Sequence, residues 1–220
     1  MIGGRPDCSG VHAPQVEWSK AHMNICTYSL EEYLHLIKSF HGHLAPGLIV
    51  GGFMVDLAMK NLPEGQFFDA VCETEVCLPD AVQILTPCTI GNGWLSIVNF
   101  GRFAVTLYEK YSGKGVRVYL DAEKLNAWPE VRDWYLKKKK KQDQDKELLM
   151  AQIKEAGYGL LGVQKLQVDP EKVRRKKMGP VAICPACGEA YPMRDGDKCR
   201  NCQGDTPYKD AVAVTNKLKI

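Results

Sequence analysis

Apolar residues recur at helical spacing over residues 30–40 and again over residues 48–61. The first helix is expected to begin at a capping box, in which the Ser29 hydroxyl accepts a backbone N–H and Glu32 reaches back to Ser29. A His-Gly-His turn separates the two helices, because glycine and proline interrupt regular structure. A Gly-Gly pair in the second helix predicts close approach by another backbone or by a ligand.

The segment that follows contains runs of β-branched and aromatic residues separated by glycine-containing turns, which is typical of strands. The pattern predicts strands at residues 67–77, 94–99, 103–108 and 116–120. A short helix is expected at residues 79–85, with a proline in its first turn. Two helices, a strand, a helix and then three strands indicate an α+β fold with a mixed sheet packed against helices, not a regular βαβ array.

From Pro129 the pattern predicts one long helical extension that stops at Gly157, followed by a short strand at residues 160–168. Residues 1–28 lack periodicity and are expected to form an irregular arm. We place a domain boundary near residue 178, which predicts an α+β domain over residues 1–178 and a small zinc-binding module over residues 179–220.

Composition excludes several classes of protein. The chain has 220 residues, 45% of them hydrophobic and 25% charged, with a net charge of +3, which is ordinary for a globular protein. No apolar run is long enough to span a bilayer, and no signal peptide is evident, so a cytoplasmic protein is expected. Two basic clusters, residues 137–141 and 174–177, are interpreted mainly as a solvated helix face and a linker.

Four of the nine cysteines form two C-x2-C pairs, which predict one structural zinc site. Each pair can present two thiolates to one tetrahedral ion. Iron is a minor alternative for the same cage. The ligands are Cys184, Cys187, Cys199 and Cys202, in a zinc-ribbon or treble-clef-like module. Tyr191 is expected to supply a small apolar cover.

A second cluster of chemical groups lies in the first half of the chain. His41 and His43 flank one glycine, and imidazole is the commonest metal ligand. Downstream, Cys77, Asp80 and Cys88 bring thiols and a carboxylate together with amides and hydroxyls. The pattern favours contact of His43 and Cys88 with a metal or with substrate. One hypothesis is a second divalent metal bound by His43 and Cys88 with help from His41, and the candidate catalytic residues are His41 and Asp80.

These residues carry a resemblance to a known family. Four motifs in order, Phe40-His-Gly-His-Leu-x-Pro-Gly47, Cys77-x-x-Asp80-Ala-Val-Gln83, Cys88-Thr-x-Gly91-x-Gly93 and Gly113-x-Gly-Val-Arg117-Val, resemble the FmdE family of formylmethanofuran dehydrogenase proteins. The terminal cysteine module is similar to a zinc-finger extension that many members carry. The resemblance implies a dimer, a metal or active site near the His-Gly-His turn, and association with a molybdenum- or tungsten-pterin oxidoreductase.

Within those motifs, Gln83, Thr89 and Arg117 are the residues expected to contact substrate. The chain departs from the family pattern at Ala45, where a cysteine is usual. The departure removes a thiolate from the His-Gly-His turn and excludes cysteine chemistry at that position.

Three functions stay open from the sequence. The first is a dimeric accessory protein that binds a second metal. The second is an enzyme acting on a one-carbon or formyl-type substrate through an activated water. The third is a regulator whose zinc module and basic clusters bind nucleic acid or a protein partner, with few aromatic residues in the module to support it.

Overall fold

The computed structural model describes residues 24–62, 67–173 and 178–209. Contacts divide the chain into two units, the first ending at Arg174 and the second beginning at Arg175. The arm predicted for residues 1–28 lies outside the described residues up to residue 23, and so does the basic cluster at residues 174–177. The assignment of residues 1–178 and 179–220 to separate domains stays a prediction.

The first unit is built on a five-stranded mixed sheet. Its strands are β3 (Phe68–Cys72), β4 (Leu95–Ile97), β5 (Ala104–Glu109), β6 (Lys114–Leu120) and β7 (Leu161–Gln167), and a two-residue hairpin of β1 (Asn24–Ile25) and β2 (Tyr28–Ser29) precedes them. The order across the sheet is β4-β3-β5-β6-β7. Only β3 and β4 are parallel, and the other neighbours are antiparallel. The predicted α+β class with a mixed sheet is therefore confirmed.

Helices cover the sheet and close the core. They are α1 (Leu30–His41), α2 (Pro46–Asn61), α3 (Leu78–Leu85), α4 (Pro129–Tyr135), α5 (Lys146–Ala156) and the short α6 (Pro170–Val173). Helix α2 is buried along most of its length, with Leu48, Phe53 and Met54 fully inaccessible to solvent. It packs against β5, β6 and α3, so the core lies between α2 and one face of the sheet. The helix supports the elements that carry the candidate site.

The glycine pair in α2 explains how closely its neighbours approach. A Cβ on Gly51 would lie 2.8 Å from the Cβ of Ala81 in α3, and one on Gly52 would lie 2.3 Å from Cε1 of Tyr33. The buried Tyr33 donates its hydroxyl hydrogen to the Leu48 carbonyl at 2.8 Å. The groups nearest to these glycines are side chains, whereas the sequence analysis expected another backbone or a ligand.

Helix α1 begins as predicted, with both hydrogen bonds of the Ser29–Glu32 capping box present. The long helical extension predicted from Pro129 is wrong. It is two helices, α4 and α5, and the lysine run at residues 137–141 forms the connection between them instead of a helix face. The chain leaves the helical path at Lys137, whose φ is +57°. No helix in the described residues is long and apolar enough to cross a membrane.

The second unit contains an antiparallel hairpin of β8 (Val181–Ile183) and β9 (Ala190–Pro192). The first C-x2-C pair lies between the two strands of this hairpin. Short 3-10 turns follow at Met193–Asp195 and Asn201–Gln203.

Candidate metal centres

The four cysteines of the second unit form a cage. The sulfur atoms of Cys184, Cys187, Cys199 and Cys202 all lie within 4.8 Å of one another. The β8–β9 hairpin presents the first pair, and Gly188 adopts a φ of +77° directly after it. Four thiolates at this separation fit a tetrahedral zinc ion and leave no coordination position open. The predicted structural zinc site is confirmed in its ligand set.

Backbone amides prepare the thiolates of this cage. The Cys199 N–H donates to the sulfur of Cys184 at 3.4 Å. This bond and neighbouring backbone N–H groups lower the pKa of Cys184 to about 6, so its thiolate is the favoured form near neutral pH. Tyr191 is 7% exposed and donates its hydroxyl hydrogen to the Gly196 carbonyl at 2.9 Å. Tyr191 is therefore buried within the module, and its role as an apolar cover of the cage stays a prediction.

The His-Gly-His turn joins α1 to α2 in the first unit. Helix α1 ends at His41, and Gly42 caps it in the left-handed conformation, with φ +87° and its N–H bonded to the Lys38 carbonyl at 3.0 Å. Only glycine adopts this conformation without strain, which is why the turn needs glycine between its histidines. His43 follows at the exposed side of the turn, and Ala45 is the N-cap of α2.

The turn faces the first turn of α3. Nδ1 of His41 lies 2.7 Å from Oδ2 of Asp80, and the ring of His43 is 4.7 Å from that of His41, centroid to centroid. Histidines that bind metals usually give their other ring N–H to a carboxylate. With Nδ1 bonded to Asp80, Nε2 is the ring nitrogen of His41 that this contact does not use. The structure therefore brings His41, His43 and Asp80 together, as their clustering along the chain suggested.

Cys77 lies at the start of α3 in a conformation rare for a residue with a side chain. Its φ and ψ are +57° and −49°, and the Leu78 N–H bonds to the Val76 carbonyl at 2.6 Å. This is a γ-turn of the strained kind. A Cβ on Gly47 would lie 3.0 Å from the sulfur of Cys77, so that glycine makes room for it. Burial raises the pKa of Cys77, and the carboxylate of Asp80 adds to the effect.

Cys88 and its neighbours follow the opposite end of α3 from Asp80. Cys88 is fully buried, its thiol donates to the Phe68 carbonyl at 3.5 Å, and burial raises its pKa to about 11. Gln83 accepts the Ile90 N–H at 3.2 Å, and Thr89 accepts the Asn92 N–H at 3.0 Å. These groups stabilise the turn after α3. In the described part of the chain, the zinc-module cysteines are the one set of three or more potential ligands within 4.8 Å of one another.

Arg117 lies on β6 and is held by side chains of its own sheet. Its Nε and Nη2 donate to the two carboxylate oxygens of Glu73 at 2.6 and 2.9 Å, and Nη1 donates to Gln164 at 3.0 Å. Arg102 also contacts Glu73, at 2.8 Å. Burial alone would raise the pKa of Glu73, but the arginine partners outweigh it and hold the pKa below the usual value. The substrate contacts expected of Gln83, Thr89 and Arg117 stay predictions.

A cavity of about 790 Å³ opens beside His43. The turn before α2 and Cys77 form one wall, and the connection between α4 and α5 forms the other. Its described lining includes Trp134, Met150 and six lysines, namely Lys137, Lys138, Lys139, Lys140, Lys141 and Lys146. The sequence pattern did not predict this cavity, because the lysine run was assigned to a helix face. The signal available was the absence of an apolar stripe through residues 136–146.

Comparison with known proteins gives the family context. The model of the family described as "FmdE, Molybdenum formylmethanofuran dehydrogenase operon" matches residues 40–167, more than half of the chain. The model described as "FmdE treble clef zinc finger" matches residues 175–209, which contain the four-cysteine cage. The small module is therefore of the treble-clef type, one of the two types expected.

Two similar proteins extend this result. The crystal structure of a tungsten formylmethanofuran dehydrogenase FmdE-like protein from Syntrophus aciditrophicus is 51% identical, with a TM-score of 0.79. The match covers 86% of this chain and 100% of that one. A probable S-adenosyl-L-methionine-binding protein of Archaeoglobus fulgidus is 29% identical over 188 residues, 76% of this chain. The chain spans about half (51%) of the length of that curated relative.

Proposed function

The chain belongs to the FmdE family, and from that premise we propose that it is an accessory protein whose first unit binds a divalent metal at the His-Gly-His turn. The observation that carries the proposal is the 2.7 Å contact between Nδ1 of His41 and Asp80, with the ring of His43 alongside. Nε2 of His41 and one ring nitrogen of His43 are the proposed metal ligands. Asp80 is the carboxylate that fixes the orientation of His41.

The donor set fits a divalent transition metal such as zinc. Two imidazoles are borderline ligands that suit zinc, and two protein ligands leave further coordination positions for water or a bound molecule. A metal held there would supply Lewis-acid chemistry at the mouth of the cavity. The chain's own residues orient the imidazoles, through Asp80 and the Gly42 cap, and hold His43 at the cavity wall. Cys88 was also expected to be a ligand of this metal. Its thiol is bonded to the Phe68 carbonyl, so it could bind the same ion only if the turn after α3 rearranged.

Metal analysis of the purified full chain tests this assignment. We expect two metal ions per chain after equilibration with zinc, of which one is lost in His41→Ala and His43→Ala variants. Loss of both metals in a Cys199→Ser variant, or one metal per chain in the unsubstituted protein, would contradict a separate site in the first unit.

The accessory role rests on the family. The matched family takes its description from a formylmethanofuran dehydrogenase operon, and the relative from Syntrophus aciditrophicus is described as FmdE-like. We infer that the chain acts as a homodimer associated with a molybdenum- or tungsten-pterin oxidoreductase. Light scattering tests the dimer, and copurification of a molybdenum- or tungsten-containing enzyme with the tagged protein from its native host tests the association. A monomer, or a tagged protein that brings down neither metal, would contradict the respective part.

One observation favours an enzymatic alternative, in which the chain acts on a one-carbon or formyl-type substrate. The cavity opens at His43, so a small substrate can reach the proposed metal. Hydrolysis of formyl donors by the zinc-loaded protein, abolished in His43→Ala, would support this alternative. If the zinc-loaded protein leaves formyl donors intact, the enzymatic alternative is contradicted and the accessory role is kept.

Binding of S-adenosyl-L-methionine, as named for the Archaeoglobus relative, is not carried over. That molecule contains a sulfonium cation, and the described lining of the cavity contains six lysines and no carboxylate side chain. Like charges brought together in one cavity repel. The charge of the cavity therefore favours an anionic ligand.

A further inference from the structure

The cavity beside His43 has the size and the apolar content of a small-molecule site. Its volume of about 790 Å³ lies in the range of ligand pockets, roughly 300–1,000 Å³. Val76, Trp134 and Met150 supply apolar surface to its walls, and Leu149 beneath them is almost fully buried. An apolar floor of this kind can bury the uncharged part of a bound molecule.

The rim of the cavity carries an unbalanced positive charge. No aspartate or glutamate is among the described residues that line it. The charge of Lys139 is balanced by two ion pairs, because its Nζ lies 2.5 Å from Glu130 and 3.7 Å from Asp133. In the described part of the chain, the other five lysines of the lining have no ion-pair partner. All five are exposed to solvent, and an anion in the space between them would reduce their mutual repulsion.

The hydrogen-bonded end of α4 sets the path of the lysine connection along the cavity. At the end of α4 the Lys138 N–H bonds to the Asp133 carbonyl at 2.9 Å, and the Lys137 N–H bonds to the Trp134 carbonyl at 3.3 Å. Lys137 occupies the left-handed position of this helix end, where glycine is usual. Its ammonium group lies 5.5 Å from the centre of the Trp134 ring. The connection thus folds back over Trp134, and the Glu130–Lys139 pair fastens it there.

We propose that this cavity binds a small polyanion, a molecule with phosphate or carboxylate groups attached to an apolar or aromatic part. Lysine ammonium groups recognise both kinds of anion as point charges, without the fixed geometry of arginine. Trp134 and Met150 would cover the apolar part. The bound molecule would end beside His43 and Cys77 at the opposite wall. This site goes beyond the proposed metal-binding function and does not require the metal to be present.

A lysine-rich surface can also contact nucleic acid through its phosphates. The structure favours the small molecule, because the charges surround a cavity with an apolar floor and Trp134 lies under the lysine connection. A nucleic-acid surface would need charges that extend over a longer face, and the lysines here line one cavity.

Calorimetric titration of the full-length protein with three probes tests the proposal. Pyrophosphate and citrate separate phosphate from carboxylate, and ADP adds an aromatic base to the phosphates. We expect ADP and at least one of the simple anions to bind once per chain, with an affinity that falls as salt rises. A Lys138→Glu/Lys140→Glu variant should weaken binding at least tenfold. The matched control, Lys114→Glu/Lys165→Glu, changes the net charge equally at exposed positions of β6 and β7 and should change the affinity less than threefold.

Two further variants separate the parts of the proposal. Trp134→Leu should weaken ADP binding more than pyrophosphate binding, because it removes the aromatic surface and leaves the charges. His41→Ala should lose the proposed metal, and when both proteins are titrated with only the cysteine cage loaded it should keep ADP affinity within threefold, since His41 does not line the cavity. Failure of the metal site and failure of the anion site are therefore distinguishable.

Three results of these titrations would contradict the proposed anion site. Equal weakening in the lysine variant and its charge-matched control would show a nonspecific field effect. Absence of saturable binding for all three probes would remove the site. Tighter binding of a single-stranded oligonucleotide than of ADP, lost in Lys138→Glu/Lys140→Glu, would reassign the lysines to nucleic-acid contact.

Discussion

The Asp80–His41 pair gives a sharp prediction for an Asp80→Asn variant. The amide oxygen of asparagine can still accept a hydrogen bond from Nδ1, so the change removes the charge of Asp80 and keeps the shape of the contact. The affinity of the proposed metal site should fall, because a neutral partner makes the His41 imidazole a weaker ligand. The cysteine cage should keep its zinc, since Asp80 belongs to the other unit.

The exposure of the His41–Asp80 pair sets the size of the expected loss in metal affinity. Loss of such an outer partner typically costs a factor of about 10–100 in metal affinity, which is about 1.4–2.7 kcal/mol. The contact is short, 2.7 Å, but the two side chains are 23% and 32% exposed. Solvent screens a pair of this exposure, so we expect the lower end, about tenfold or 1.4 kcal/mol.

The assay is a competition titration with a chromogenic zinc chelator on the full chain, with the cysteine cage already loaded. Glu155→Gln is the matched control, because it removes one exposed carboxylate from α5 and should leave both sites unchanged. An Asp80→Asn variant that binds the second metal as tightly as the unsubstituted protein would refute the orienting role of Asp80.

Further predictions concern the packing, the pH response and the zinc module. Gly52→Ala should lower the free energy of unfolding by about 1–2 kcal/mol, as measured by denaturant unfolding. The clash of the new Cβ with Tyr33 outweighs the gain of about 1 kcal/mol in helix propensity. Gly159→Ala is the control, because a Cβ there would meet no other atom. Glu73 has a depressed pKa, so its stabilisation is complete above the unfolded value of about 4.3 and is lost as the pH falls through the folded value. Glu73→Gln should lower the free energy of unfolding by about 3 kcal/mol at pH 7. It should also abolish this loss of stability at low pH in thermal unfolding measured across pH. A variant that loses stability at low pH as the unsubstituted protein does would contradict the prediction. Cys199→Ser, or chelation of zinc, should unfold residues 178–209 and leave the circular dichroism of the sheet unit in place, whereas a zinc-free module with dispersed amide resonances would contradict the structural role of the ion.

The features predictable from the sequence are those fixed by neighbouring residues. The Ser29–Glu32 capping box and the glycine cap between His41 and His43 depend on hydrogen bonds within one turn of chain. The cysteine cage follows from spacing that already brings each pair of sulfurs to one ion. The proline that opens α3 is a local signal of the same kind, and so are the β-branched and aromatic runs of the strands.

The features that escaped prediction depend on distant parts of the chain. The residues around the lysine run are good helix formers, so propensity favoured one helix, but their segment lacks an apolar stripe to hold it on the core. The Asp133 carbonyl and the Glu130 carboxylate instead fold it over Trp134. The metal ligand role of Cys88 was inferred from closeness in sequence, whereas helix α3 lies between that residue and Asp80. Nothing in the local sequence indicates the γ-turn at Cys77.

The most direct test of the second metal site is anomalous diffraction at the zinc edge from crystals of the full chain grown with zinc. We expect two peaks per chain, one inside the cysteine cage and one beside Nε2 of His41 and the ring of His43. A single peak in the cage, with the His41–Asp80 contact intact and no density at the histidines under excess zinc, would contradict metal binding at the His-Gly-His turn.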